Sequence, residues 1–210
     1  MPLKDKRVTK RAPAAKAMVA AAVASTMMSC ELERAEAPRS RAAIMPSRAV
    51  ARLEPVEESG VEGNIEFVKV GEGIRIEGEI RNLSPGGHGF HVHEYGDCSG
   101  AGAANAGGHY NPYDMPHAGP DSNRRHVGDL GNITADTAGI ARIDRIDPMI
   151  SFEGPSSVVG RALVVHRKED DFTTQPSGAA GARLACGVIG IAARPENDTQ
   201  DTTNETAMEE

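Results

Sequence analysis

Apolar and polar residues alternate most regularly at "IRIEGEI" (74–80), where Ile74, Ile76 and Ile80 interleave with Arg75, Glu77 and Glu79. A period of two puts the isoleucines on one face and the charges on the other, as on a strand with one face in a core and one in water. Short apolar runs bounded by glycine or polar clusters predict further strands at 48–53, 63–70, 88–94, 128–135, 140–146, 160–166 and 185–192. Gly71-Glu72-Gly73 turns the second strand into the third, and "TADTAG" (134–139) predicts a hairpin between the fifth and sixth. These runs are too short and too often broken by glycine for long helices, so the expectation is an all-β fold.

Composition narrows the core. The 210 residues allow one good core plus tails, and with no tryptophan, 3% aromatics and 23 glycines that core must be built from Val, Ile, Leu and Ala. Charge is unevenly spread. Residues 1–29 carry six bases and one acid, which leaves 17 bases against 29 acids for the rest. A body so acidic repels nucleic acid. The stretch 194–210 has six acids and, beyond Arg194, no base, and is expected to be a disordered tail.

The basic start followed by "AMVAAAVASTMM" (17–28) has the layout of an export signal. Its uncharged run is too short to span a bilayer as a helix. "MSC" puts Cys30 directly after Ser29, as at the lipid-attachment site of bacterial lipoproteins, with cleavage after Ala24 as the rival. Residues 1–29 are thus expected to be a signal peptide of lipoprotein type, with any membrane contact made only through a lipid on Cys30. Residues 30–47 are a linker. The three cysteines, Cys30, Cys98 and Cys186, fit no C-x-x-C motif. The glycine-rich stretch 100–108 lacks a Lys-Ser/Thr ending, which excludes a phosphate loop.

Candidate chemistry lies in the histidines. In "GFHVHEYGDCS" (89–99), His91 and His93 share one face of a strand, about 7 Å apart along the backbone and within reach of one metal. His88 has the parity of Phe90 and Val92 and is expected to point inward with them as a hydrogen-bonded interior histidine. The run "GGHYNPYDMPHAGPDSNRRHVGDLGN" (107–132) then presents His109, His117, His126 and Asp129, and "VVHRKEDD" (164–171) adds His166. Three imidazoles and a carboxylate suit tetrahedral zinc, and all-imidazole ligation suits copper.

Five motifs, "GFHVHEYGDC", "GGHYNP", "HVGDLGNI", "LVVHRKEDD" and "GARLACGVIGIA", occur in the order found in copper/zinc superoxide dismutases. The sequence resembles that family over about residues 48–193, and its bacterial exported members more than the cytosolic eukaryotic ones. The resemblance implies an eight-stranded Greek-key β-barrel or sandwich with long metal-binding loops, an architecture of which the family is itself a named instance. It implies copper on His91, His93, His109 and His166, and zinc on His109, His117, His126 and Asp129, with His109 bridging. Asp170 then orients a copper and a zinc histidine, Cys98 and Cys186 form the disulfide, and Arg183 receives the superoxide anion beside copper. The implied enzyme disproportionates superoxide in the periplasm or cell envelope. A homodimer is an expectation without an assigned face. The alternative is an exported lipoprotein that stores or carries copper and zinc without turnover; Arg183 and the bridging His109 argue against it.

Overall fold

A computed structural model describes residues 46–193; the signal-like segment, Cys30 and the acidic tail lie outside the described residues. Eight strands are present: β1 (Arg48–Pro55), β2 (Glu62–Val70), β3 (Gly73–Arg81), β4 (Gly86–His93), β5 (Asp129–Ala135), β6 (Ala141–Asp147), β7 (Ala162–His166) and β8 (Arg183–Ile191). They close into an antiparallel barrel in the order β1-β2-β3-β6-β5-β4-β7-β8. The two crossings in that order, β3 to β4 and β6 to β7, make it a Greek key. Every expected strand is found within about two residues of its expected ends.

The alternation in β3 is realised as read. Ile74, Ile76 and Ile80 are buried, while Arg75 reaches across to Asp144 on β6 with a two-point pair, both contacts 2.7 Å. The barrel interior joins these isoleucines to Ile65, Phe67, Phe90, Val92, Leu163, Val165 and Ile189. β4 and β7 are different, because nearly all their residues are buried on both faces. Phe90 and Val92 face the barrel, and the opposite face of β4, with His91 and His93, is covered by loops.

Two features were not legible beforehand. The glycine-rich stretch holds a 3-10 turn at Ala101–Ala106, bent where Gly102 and Ala103 adopt left-handed angles. Ala103, Ala106, Ala162, Val164 and Cys186 form a second, smaller apolar cluster that seats this turn against β7 and β8. Arg145 is the other surprise. It occupies an inward position between Ile143 and Asp147 on β6, its guanidinium 5.6 Å from the Phe90 ring centre. Its Nε and Nη2 are buried with no partner among the described residues, and burial lowers its pKa.

Cys98 and Cys186 are joined, closing 88 residues of chain. In chain-entropy terms a bridge of that span stabilises the fold by about 4–5 kcal/mol. It ties the loop after β4 to the last strand.

Candidate metal centre

Three chain segments cross at one point and bring the histidines together. Val92 N–H donates to Gly128 O (2.9 Å), Tyr110 N–H to Val92 O (2.8 Å) and Gly128 N–H to Tyr110 O (2.9 Å). A Cβ at position 128 would fall 2.1 Å from Val92 O, so the crossing requires glycine. His91 and His93 flank Val92, His109 precedes Tyr110, and His126 and Asp129 bracket Val127-Gly128. His166 arrives from the end of β7, on the face opposite Leu163 and Val165.

The result is two clusters of buried side chains that share His109: His91, His93, His109 and His166, and His109, His117, His126 and Asp129. Within each cluster the ligand-capable atoms lie within 4.8 Å of one another. Their chemistry fits metal ions. His91 Nδ1, His109 Nε2, His117 Nδ1 and His126 Nδ1 are buried and form no hydrogen bond among the described residues. Buried ring nitrogens without partners are costly unless something accepts their lone pairs. His117 Nδ1 and His126 Nδ1 lie 2.9 and 3.2 Å from Asp129 Oδ1, but neither is aimed along a hydrogen bond to it. Such spacings fit ligands of a common centre. His109 Nδ1, at 2.8 Å, is aligned with the same oxygen.

In His91, His93, His117 and His166 the opposite ring nitrogen is held by the protein, which fixes where its proton sits. His93 Nδ1–H donates to Gly107 O (2.9 Å) and His166 Nδ1–H to Gly181 O (3.0 Å), so each keeps Nε2 free, the two 3.2 Å apart. Asp170 serves both clusters: Oδ2 accepts from His91 Nε2 (2.7 Å) and Oδ1 from His117 Nε2 (2.9 Å). Gly178 lies against this carboxylate in a left-handed conformation, where a Cβ would come 1.7 Å from Asp170 Oδ1.

Electrostatics divide the rings. Burial lowers His91 to about 4 and His166 to about 3, and holds His93 well below the usual value, so these rings are neutral and able to donate lone pairs at neutral pH. Burial likewise lowers His109, against the pull of Asp129. At His117 burial is outweighed by Asp129 and Asp170, which raise it to about 9. Two carboxylates there call for a cation. Burial would push Asp129 up, but the hydrogen bond from His109 and the close His117 and His126 rings hold it far below the usual carboxylate range.

A cavity of about 340 Å³ opens onto the first cluster, lined among others by His93, His109, His166, Gly181 and Arg183. The Arg183 guanidinium donates Nη1 to Ala103 O and Nη2 to Gly107 O (2.5 Å). Both carbonyls belong to the loop that the Cys98–Cys186 bridge tethers.

Every candidate within the described residues therefore reaches the site or its border. His88 does not, and was not expected to. Its Nδ1 contacts His166 O at 2.8 Å and its Nε2 contacts Ser84 O at 2.8 Å. Sequence reasoning missed Arg125, which is fully buried beside His126. It donates to the carbonyls of Pro120, His126 and Val127 and pairs with Asp147 at 2.6 Å. It also missed Asn132 and Gln175, whose side-chain amides each clasp a backbone segment at the site. Their partners are main-chain atoms distant in sequence, so no local motif announces them.

Residues 61–189 match the family described as copper/zinc superoxide dismutase (SODC). The extracellular superoxide dismutase [Cu-Zn] of Brugia pahangi is 43% identical over 146 residues, 65% of this chain and 73% of that one. The protein of the same name from Caenorhabditis elegans is 43% identical over 134 residues, 61% of this chain and 60% of that one. The crystal structure of the clock protein EA4 superposes with a TM-score of 0.66 at 45% identity, over 70% of this chain and 96% of that one. The expected kinship with bacterial exported forms is not supported, because both named relatives are eukaryotic extracellular enzymes. With its ligand clusters in family order and the family match covering most of the barrel, the chain belongs to the copper/zinc superoxide dismutases.

Proposed function

We propose that residues 48–193 convert superoxide to dioxygen and hydrogen peroxide, with copper on His91, His93, His109 and His166 and zinc on His109, His117, His126 and Asp129. The observation that carries this reading is His109, the one ring common to both clusters. When bound, copper supplies a one-electron couple that one superoxide reduces and a second reoxidises, and zinc supplies fixed positive charge.

Held by copper and zinc together, the His109 ring would give up both N–H protons. His109 lines the cavity, so a proton held at its Nε2 would lie where the peroxide product takes one up. Asp170 orients His91 and His117 together. Arg183 holds a positive charge at the cavity wall, pinned by two carbonyls, and draws the substrate anion into a net acidic chain. Burial lowers its pKa, but a guanidinium stays charged at neutral pH.

The reading extends to export. The basic and apolar N-terminus and the disulfide suit an oxidising compartment, and the relatives' names say extracellular. Lipidation of Cys30, with a membrane anchor at the cell envelope, is the finer form of this reading, and cleavage after Ala24 is its rival. A homodimer belongs to the same reading, with no face assigned.

Arg183→Ile separates an enzyme from a metal store. It removes no proposed ligand, so copper and zinc content stay as in the wild type. Loss of a charge-assisted contact of roughly 1.5–3 kcal/mol lowers the rate on the order of tenfold or more. A wild type that holds both metals and shows no superoxide consumption would decide for the store.

A further inference from the structure

His117 lies in a segment without regular secondary structure, yet its ring must be held to a fraction of an ångström to serve a metal. Its main-chain N–H donates to Gln175 Oε1 at 2.8 Å, and its carbonyl accepts from Gln175 Nε2 at 2.8 Å. Among the described residues no other group bonds to either main-chain atom. A side-chain carboxamide carries one acceptor and a donor side by side, as a neighbouring strand would, so Gln175 stands in for a missing ladder partner.

The loop that carries Gln175 is itself braced. Asp171 Oδ1 accepts the N–H groups of Thr173 (2.9 Å) and Thr174 (2.8 Å), and Asp171 N–H closes the loop onto Gly178 O at 3.0 Å. Five residues before Gln175, the same loop supplies Asp170, which takes the outer N–H of the His117 ring. The ring is thus steadied from one side and the backbone from another by a single short loop.

The geometry points to Gln175 as a positioning residue that sets how firmly His117 is presented to zinc, an inference that rests on the ligand assignment proposed above. Gln175 belongs to neither cluster and does not line the cavity. It acts through the His117 backbone, one step further out than ring partners such as Asp170, whose loss commonly costs about 10–100-fold in metal affinity.

The test uses the full chain loaded with copper and zinc, and a second preparation with Co(II) in place of zinc. Gln175→Ala should release zinc to an excess of chelator about tenfold faster than the wild type and should shift the visible Co(II) bands. Copper content should be unchanged. Gln175→Glu keeps the acceptor for His117 N–H and turns a carboxylate oxygen toward His117 O, so its release rate should also exceed that of the wild type. It serves where the alanine variant folds poorly. Zinc release within twofold of wild type and an unshifted Co(II) spectrum would overturn the inference, whatever the variant does to metal-free stability, because Gln175 would then only close a loop. A wild-type chain that takes up neither zinc nor Co(II), or an Asp129→Ala variant that binds them undiminished, would overturn the ligand assignment and the inference with it.

Discussion

The outward faces of β3 and β4 are built by opposite rules. On β3 the outward residues are charged and wet, and they pair with neighbours such as Asp144 across the sheet. On β4 the outward residues are His91 and His93, as deeply buried as the apolar side chains behind them. The loops 94–128 and 167–182 account for the difference. They roof one half of the barrel and leave the other open. The molecule therefore has two interiors, an apolar one inside the barrel and a polar one between its wall and the loops. Chemistry resides in the second, where burial keeps imidazoles neutral and every outer nitrogen that the structure pairs goes to a carbonyl or to Asp170.

The sharpest way to break this contrast is to cut into the roofed half. His166→Ala removes one member of the first cluster and none of the second, so copper and activity should vanish while zinc stays near one per chain. Asp129→Ala should deplete zinc first. Elemental analysis of the folded variants checks both, and equal loss of both metals in each variant would contradict two sites joined at His109. Next in size is Cys98→Ser, which frees the loop that carries the carbonyls gripping Arg183. Denaturant unfolding should show a loss of about 4–5 kcal/mol, and the rate should fall as well.

Two changes in the open half should do less. Arg145→Met replaces a guanidinium with two unpartnered buried donors by an apolar side chain, and should raise stability by on the order of 1 kcal/mol with metal content unchanged. A fall in stability would show that the guanidinium is satisfied by a bound water or anion. Arg75→Ala breaks only exposed pairs, with Asp144 and with Glu77. Its unfolding midpoint and its copper and zinc content should match the wild type within experimental scatter.

The same contrast governs what could be read beforehand. Where one face is wet, alternation in the sequence reveals the strand, as at Ile74, Ile76 and Ile80. Where both faces are buried, as at 162–166, alternation vanishes and the strand shows only as a bounded apolar run. The two clusters were legible because six of the seven histidines fall into a few short motifs whose order resembles the family's. Asp170 was legible only by resemblance, since nothing local distinguishes it from Glu169 and Asp171, yet it alone of the three is buried. Ala103 gave no sign of its left-handed conformation, and Arg145 breaks the pattern that a core strand would follow. The expected likeness to bacterial forms leaned on the lipoprotein-like N-terminus, and the named relatives, both eukaryotic, do not support it.

Asp170 makes the two clusters a single thermodynamic system. One carboxylate gives an oxygen to each side, so a partner that draws it toward His91 alters what it offers His117. By linkage, whatever factor zinc lends to the affinity for copper, copper must return to zinc. Four measured affinities, each metal with and without the other, therefore close a square with only three independent sides. An affinity quoted for either metal alone belongs to one edge of that square, and the order in which a cell loads the two ions decides which edges it travels.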